Sequence, residues 1–332
     1  MFIINTYSLA IFFCVITMLC WGSWANTMKL SSKSWPFQLY YWDYSIGLVL
    51  TSLVLGLTMG SIGASGRGFI PDLMQASLMA IGSAFLGGVV FNLSNLLIVA
   101  ATDIAGMAVA FPIAVGLALV IGVVVNYIAV PVGNPYLLFI GLALVVLAIV
   151  VDALAFSRLP GEKKSVGKGI ILSILSGVLM GFFYRFVAAS MVENVITPEA
   201  GKITSYSAMF IFTVGIFLSN FLWNTIFMVK PVKGEPVKYS EYFSLGTTKL
   251  HLIGIAGGLI WCVGMSFNLI ASSQAGFAIS YGLGQGATMV AAAWGVFIWK
   301  EFEHAPKGTN KLIAAMFTLF IAGLALIIFA KI

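Results

Sequence analysis

Asn92 and Asn95 stand three residues apart in an otherwise apolar run, close enough to share one face of a helix. Each amide carries both hydrogen-bond donors and acceptors, which suits a neutral polar solute. The competing use is helix-to-helix hydrogen bonding, but two amides on one face exceed what packing requires. Tyr281, Gln285 and Thr288 follow i, i+4, i+7 spacing and draw a polar stripe on a second run of small and apolar residues. Tyr281 and Gln285 could instead bond neighbouring backbone. One solute could bridge the two stripes. Trp24, near the end of the first apolar run, offers an indole face as a platform for a flat or ring-shaped molecule, while Trp21 reads as an interfacial aromatic.

Four ionisable residues call for chemistry of their own. Asp43 lies about one turn inside a helix, beside Tyr40, Tyr41, Trp42 and Tyr44. A carboxyl partly withdrawn from water there could exchange a proton near neutrality. Arg185 stays charged at any working pH and so must find a structural partner, such as Glu193, or a substrate carbonyl. Asp103 and Asp152 read as solvated or capping, and His251 and His304 as solvated edge residues. No Ser-His-Asp order, HExxH string or paired His ligands occur, so no catalytic centre, metal site or cofactor is expected.

The elements that must position these residues follow from composition. The chain has 332 residues, of which 61% are hydrophobic and only 8% charged, against about a quarter charged in soluble domains. Runs of about 20 apolar residues suit a bilayer, and ten can be traced: 8 to 28, 39 to 61, 74 to 98, 104 to 128, 136 to 156, 168 to 189, 206 to 228, 250 to 270, 277 to 299 and 311 to 330. The formal charge of +6 reports loop orientation, not nucleic-acid binding. Thirteen Lys and Arg, among them Lys29, Lys33, Lys163, Lys164 and Lys233, fall in the odd-numbered connections or, as Lys168 and Lys311, on the first residue of the span that follows one. Arg67, Lys202 and Lys331 fall on the other side. The positive-inside bias makes the odd connections cytoplasmic and puts both termini outside. Cys14, Cys20 and Cys262 lie in apolar runs and read as core residues, and the first run, lacking a basic flank and a cleavage site, reads as a retained helix rather than a signal peptide.

Laid on itself at an offset of 170, the chain matches Gly87-Gly88 to Gly257-Gly258, Ala105-Gly106 to Ala275-Gly276, Ala108 to Ala278 and Gly116 to Gly286 without a gap. The offset moves the third and fourth spans onto the eighth and ninth. A shift of five spans inverts the second copy, the arrangement of secondary transporters with a midplane site between their halves. The polar stripes are not repeated: Asn92 and Asn95 match Cys262 and Met265, and Tyr281, Gln285 and Thr288 match Phe111, Val115 and Ala118.

Gly22-Ser23-Trp24 with Met28 and Leu30, Asp43-Tyr44-Ser45, Gly87-Gly88-Val89-Val90 with Asn95-Leu96, Gln274-Ala275-Gly276-Phe277-Ala278, Trp294-Gly295 and Lys300-Glu301-Phe302 together resemble the ureide permease family of the drug/metabolite transporter superfamily. The likeness lies in their order and runs over nearly the whole chain. It implies ten helices in two inverted five-helix halves, outside termini, and proton-coupled uptake of ureides such as allantoin and of nucleobases. Trp24 and Asp43 fall inside the matched motifs. Plant members carry a large central cytoplasmic segment with a P-loop-like sequence, whereas this chain has about a dozen residues there. Gly161 and Gly167-Lys168 do not make a P-loop, because the spacing is one residue too long and Gly169 replaces the Ser or Thr that would hold Mg²⁺. The neighbouring bacterial glucose, ribose and rhamnose carriers keep monosaccharides open.

The expectation is therefore an all-α, multi-pass carrier of a bacterial inner membrane, without cofactor. Its halves are residues 1–156 and 168–332, joined by a linker at 157–167. Trp24, Asn92, Asn95, Tyr281, Gln285 and Thr288 bind the substrate, Asp43 couples to protons, and Arg185 supplies a structural or substrate-facing charge. Its partners are the small solute, protons and the lipid bilayer.

Overall fold

A computed structural model describes residues 1–31, 35–159, 166–232 and 234–332. Lys33, Gly161, Lys163, Lys164 and Lys233, and with them much of the expected linker, lie outside the described residues. Among the described residues the regular elements are helices, with one isolated bridge between Met191 and Ile203. In order it forms α1 (Tyr7–Ser23), α2 (Asn26–Leu30), α3 (Phe37–Leu57), α4 (Phe69–Gln75), α5 (Leu78–Ala105), α6 (Met107–Ala129), α7 (Pro135–Phe156), α8 (Val166–Ser190), α9 (Ser205–Asn220) and α10 (Trp223–Val229). There follow α11 (Tyr239–Ser244), α12 (Thr248–Ala275), α13 (Phe277–Gly284), α14 (Ala287–Ala293), a π-helical turn Trp294–Ile298 and α15 (Thr309–Phe329). Among the described residues, eight helical segments are long and apolar enough to cross a membrane.

Two of the ten expected spans are not among these eight. The second is the helix α3, whose first half, Gln38 to Tyr44, is rich in aromatic hydroxyls and carries Asp43, so it is long but less apolar. The ninth is not one helix. It breaks at Gln285 and Gly286 between α13 and α14, then widens into the π turn. The first span also breaks, at Trp24 and Ala25 between α1 and α2.

Helices α5 and α12 show what the glycine pattern is for. Each has 28 residues. Each starts at a hydroxyl cap, Ser77 accepting from the Ala80 N–H at 3.2 Å and Thr247 from the Leu250 N–H at 3.3 Å, which satisfies one of the first-turn donors. Each ends at a glycine with positive φ, Gly106 at 84° and Gly276 at 85°, a conformation a side chain resists. Midway, a Cβ on Gly88 would overlap the Phe212 carbonyl oxygen of α9, and one on Gly258 the Tyr44 carbonyl oxygen of α3. Four features therefore recur 170 residues apart, and they lay α5 against α9 and α12 against α3. Small residues permit this approach where lipid gives no hydrophobic drive between helices.

Both termini lie at one end of the bundle. The Met1 amino group donates to the Ser65 carbonyl at 2.9 Å, Tyr7 Oη to the Ile328 carbonyl at 2.6 Å, and the Asn134 N–H to the Ala330 carbonyl at 2.5 Å. This terminal face is latched by Asp72, which is fully buried. Arg67 Nε donates to its Oδ1 at 2.7 Å, and the Thr204 N–H and hydroxyl donate to its Oδ2 at 2.8 and 2.9 Å, at the start of α9.

Candidate functional site

A cavity of about 500 Å³ lies among α1, α2, α5, α6, α8, α12 and α14. It reaches the face opposite the termini at Met28, Lys29 and Asp103. Asp103, expected in a connecting turn, belongs instead to the last turn of α5. The cavity floor is aromatic. Trp21 stacks on Trp261 with centroids 5.7 Å apart and planes at 14°, and Phe91 meets Trp261 at 4.6 Å and Phe183 at 5.0 Å.

Trp24, Asn95, Gln285 and Thr288 all line this cavity. Trp24 reaches it because the chain breaks between α1 and α2, and its ring is backed by Tyr44 at 4.9 Å. Asn95 donates from Nδ2 to Tyr41 Oη at 3.1 Å, which fixes the amide against α3. Gln285 occupies the break between α13 and α14, and the Thr288 hydroxyl donates to the Gln285 carbonyl at 2.9 Å. The start of α14 has no side-chain cap; its Thr288 and Met289 N–H groups donate to the Gln285 and Gly286 carbonyls at 3.2 and 3.0 Å, so backbone bonds hold the break while its side chains stay available.

Two residues from the same stripes point elsewhere. Asn92 is fully buried against α9, donating to the Ile216 carbonyl at 3.1 Å, Ser219 Oγ at 2.8 Å and Asn220 Oδ1 at 3.1 Å. Positions three apart differ by about 60° around a helix, enough to aim Asn92 and Asn95 at different neighbours. Tyr281 is also fully buried and donates to the Met180 carbonyl at 3.2 Å and toward that of Ala118 at 3.4 Å. Arg185 lines neither this cavity nor the smaller one on the terminal face. Its expected partner Glu193 is exposed on that face, and among the described residues the ion pairs are Lys29 with Glu301, Arg67 with Asp72 and His251 with Asp43.

Asp43 lies off the cavity, between α3, α11 and α12. Its side chain is 1% exposed. His251 Nδ1 stands 2.9 Å from Oδ1 and 3.0 Å from Oδ2, and Tyr242 Oη donates to Oδ1. His251, read from the sequence as a solvated edge residue, is therefore the carboxylate's partner across 208 positions. Burial and the adjoining carboxylate push the Tyr242 phenol well above its ordinary range, so it remains a donor.

Toward the terminal face the cavity is closed below its aromatic floor by a polar layer. Tyr184 Oη donates to Asn268 Oδ1 at 2.7 Å and lies 3.0 Å from Ser280 Oγ, Asn268 Nδ2 donates to the Ser280 carbonyl at 2.7 Å, and Thr17 to the Gly264 carbonyl at 2.8 Å. Beyond it lies a second space of about 170 Å³, lined by Ile4, Ser272, Phe277 and Lys331 among others. Trp21, read from the sequence as an interfacial residue, belongs to this floor; Phe91 and Trp261 draw no notice there, although they are 170 residues apart, a match between aromatics at the repeat offset.

The ureide permease family model matches residues 40–166 and 158–330. Ureide permease 1 of Arabidopsis thaliana is 21% identical over 384 residues, covering 98% of each chain, and ureide permease 5 of the same plant is 22% identical over 395 residues, covering 98% of this chain and 95% of that one. Transmembrane protein 144 homolog B of Dictyostelium discoideum is 24% identical over 180 residues, 53% of this chain and 43% of its own. A solved crystal structure shares the fold with a TM-score of 0.57 at 16% identity, covering 96% of both chains. With apolar membrane-length helices around a cavity and a family match over nearly its whole length, the chain is a membrane-spanning transporter and belongs to the ureide permease family.

Proposed function

We propose that the protein imports a small, neutral, flat heterocycle, a ureide such as allantoin or a nucleobase, together with protons. Trp24, Asn95, Gln285 and Thr288 hold the solute over the floor of Trp21, Trp261 and Phe91. The observation that carries this reading is the meeting of two side-chain amides, Asn95 and Gln285, in one aromatic-walled cavity. Amides pair with the alternating N–H and C=O groups of such rings, and indole faces cover them. A monosaccharide is not favoured, because its ring of hydroxyls would find few polar partners on these walls. Asn92 and Tyr281 serve by holding α5 to α9 and α13 to α6 and α8.

The carrier works as ten spans in two inverted five-helix halves, 1–156 and 168–332, around a linker at 157–167. In this arrangement α3 and the broken ninth segment both cross the membrane, both termini are outside, and the cavity faces the cytoplasm. Asp43 takes the coupling proton. The test is uptake of labelled allantoin, a free nucleobase and ribose into membrane vesicles under an imposed pH gradient, with and without a sodium gradient. Concentrative uptake of a heterocycle driven by pH alone is the expected result. Carriage of ribose in preference to the heterocycles would overturn the substrate, and a strict sodium requirement would overturn the proton.

A further inference from the structure

The Asp43 carboxyl is fixed at both oxygens by one imidazole, and this changes what can hold the proton. His251 Nδ1 lies 2.9 and 3.0 Å from the two oxygens. Tyr242 from α11 is the other partner, and its raised phenol donates without exchanging. On α3 itself Tyr40, one turn earlier, is turned to Thr27 at 2.6 Å. From α12, Gly254 lies against the Asp43 Cβ and leaves no room for another side chain. Among the described residues no Lys or Arg pairs with this carboxylate. Trp35 covers the cluster, edge-on to His251 at 5.2 Å and 5.9 Å from the Tyr242 ring.

The geometry points to Asp43 and His251 as a single proton-holding pair, with His251 as the path by which the proton reaches water. Asp43 is 1% exposed and His251 26%, so the imidazole is the half that meets solvent. In the loaded state one proton lies between Nδ1 and the carboxylate, and the pair is neutral overall. On release that proton passes to water at the face opposite the termini, leaving an imidazole and a buried carboxylate with negative charge, a state that burial disfavours until water enters. Two groups in such contact titrate as a unit.

The pair also stands where it can act on the cavity. Two residues before Asp43, Tyr41 receives the Asn95 amide, and one residue after it Tyr44 backs Trp24. One turn of α3 therefore carries Asp43 on one side and two cavity-wall supports on others. A hydrated, deprotonated Asp43 shifts α3 against α12, and Asn95 and Trp24 shift with it. This link to substrate rests on the import reading above; the pairing of Asp43 with His251 does not.

The closing experiment separates the two. Infrared titration of the purified protein in lipid, without substrate, follows the Asp43 carboxyl band, assigned by its loss in Asp43→Asn. In His251→Asn, which keeps a neutral N–H near the Nδ1 position but cannot ionise, that band is expected to titrate a pH unit or more away from its wild-type position. The reciprocal measurement, the imidazole titration of His251 by nitrogen NMR, should move likewise in Asp43→Asn and needs no His251 variant to fold. Unchanged titration of each group without the other overturns the pair, whatever solute is carried. In vesicles, His251→Asn should retain solute exchange while the pH at half-maximal accumulation shifts together with the carboxyl band. An unaltered pH profile with intact exchange overturns the role of His251 in coupling.

Discussion

Phe91 and Trp261 stand 170 residues apart in the sequence and their rings meet at 4.6 Å on the floor of the cavity. Positions matched at that offset thus touch each other beneath the cavity in which we propose that the solute sits. An aromatic contact of this kind contributes about 0.5–1.5 kcal/mol beyond its buried area. Trp261→Leu should therefore weaken binding of a flat heterocycle several-fold to about tenfold in a direct binding assay on detergent-solubilised protein, with Trp261→Phe retaining most of it. Equal affinity in all three proteins would remove the floor from the binding site.

The two asparagines of α5 should separate cleanly. Asn95→Ala and Gln285→Ala are each expected to cost about 1–3 kcal/mol in solute binding, the usual penalty for a polar partner left unpaired, with little change in protein yield. Asn92→Ala removes hydrogen bonds to Ile216, Ser219 and Asn220 and should lower thermal stability instead. Isotherms and melting curves for the three variants decide the matter. A stable Asn92→Ala protein that fails to bind solute would reverse the assignment.

What the sequence disclosed and what it hid divide along range. Apolar runs report local burial, so the membrane-length helices could be read directly, and Gly88 and Gly258 could be read because close helix approach leaves a glycine behind. Gln285 and Thr288 were found by helical periodicity, yet the same rule placed Tyr281 beside them. It presumes an unbroken helix, and the chain breaks at Gln285 and Gly286. The partnership of Asp43 with His251 could not be read at all. Nothing local to position 251 distinguishes a histidine at a helix edge in water from one held by a carboxylate 208 residues away. Asp72 was hidden for the same reason, since Thr204 reaches it from a distant helix start.

Gly276 should not tolerate a side chain. Its φ of 85° and ψ of 153° fall in a region that is essentially glycine-only, at a cost of order 1–3 kcal/mol for other residues, and an added Cβ would stand 2.9 Å from the Val132 Cβ. Gly276→Ala is expected to lower the melting temperature, and Gly106→Ala, at 84° and 158°, to do the same through backbone strain. A melting temperature unchanged in both would mean that these turns relax freely.

Orientation can be read with reporters. Both termini lie on one face, and the orientation proposed from the loop charges has that face outside. A reporter active only in the cytoplasm should be silent when fused after Ile332 and active when inserted near residue 163. Activity at the C-terminus would invert the whole carrier, and with it the side from which solute enters the larger cavity.

Thiol reagents can report which side of the membrane reaches the cavity. Thr288 lines the cavity that opens between Lys29 and Asp103, whereas the way to the terminal face is blocked twice, by the stacked Trp21 and Trp261 and by the Tyr184, Asn268 and Ser280 layer. In a protein whose own cysteines, Cys14, Cys20 and Cys262, are replaced by alanine or serine, Thr288→Cys should react with a membrane-impermeant thiol reagent added to the face opposite the termini and not from the terminal face. Solute should protect it, since the thiol would share the cavity with whatever Asn95 and Gln285 hold. Ser272→Cys, lining the smaller space on the terminal face, should show the reverse sidedness. Breaking the polar layer with Asn268→Leu removes a bond to Tyr184 and one to Ser280 and should let reagent reach Thr288→Cys from the terminal side. Continued protection from that side in the Asn268→Leu protein would assign closure to the aromatic floor alone.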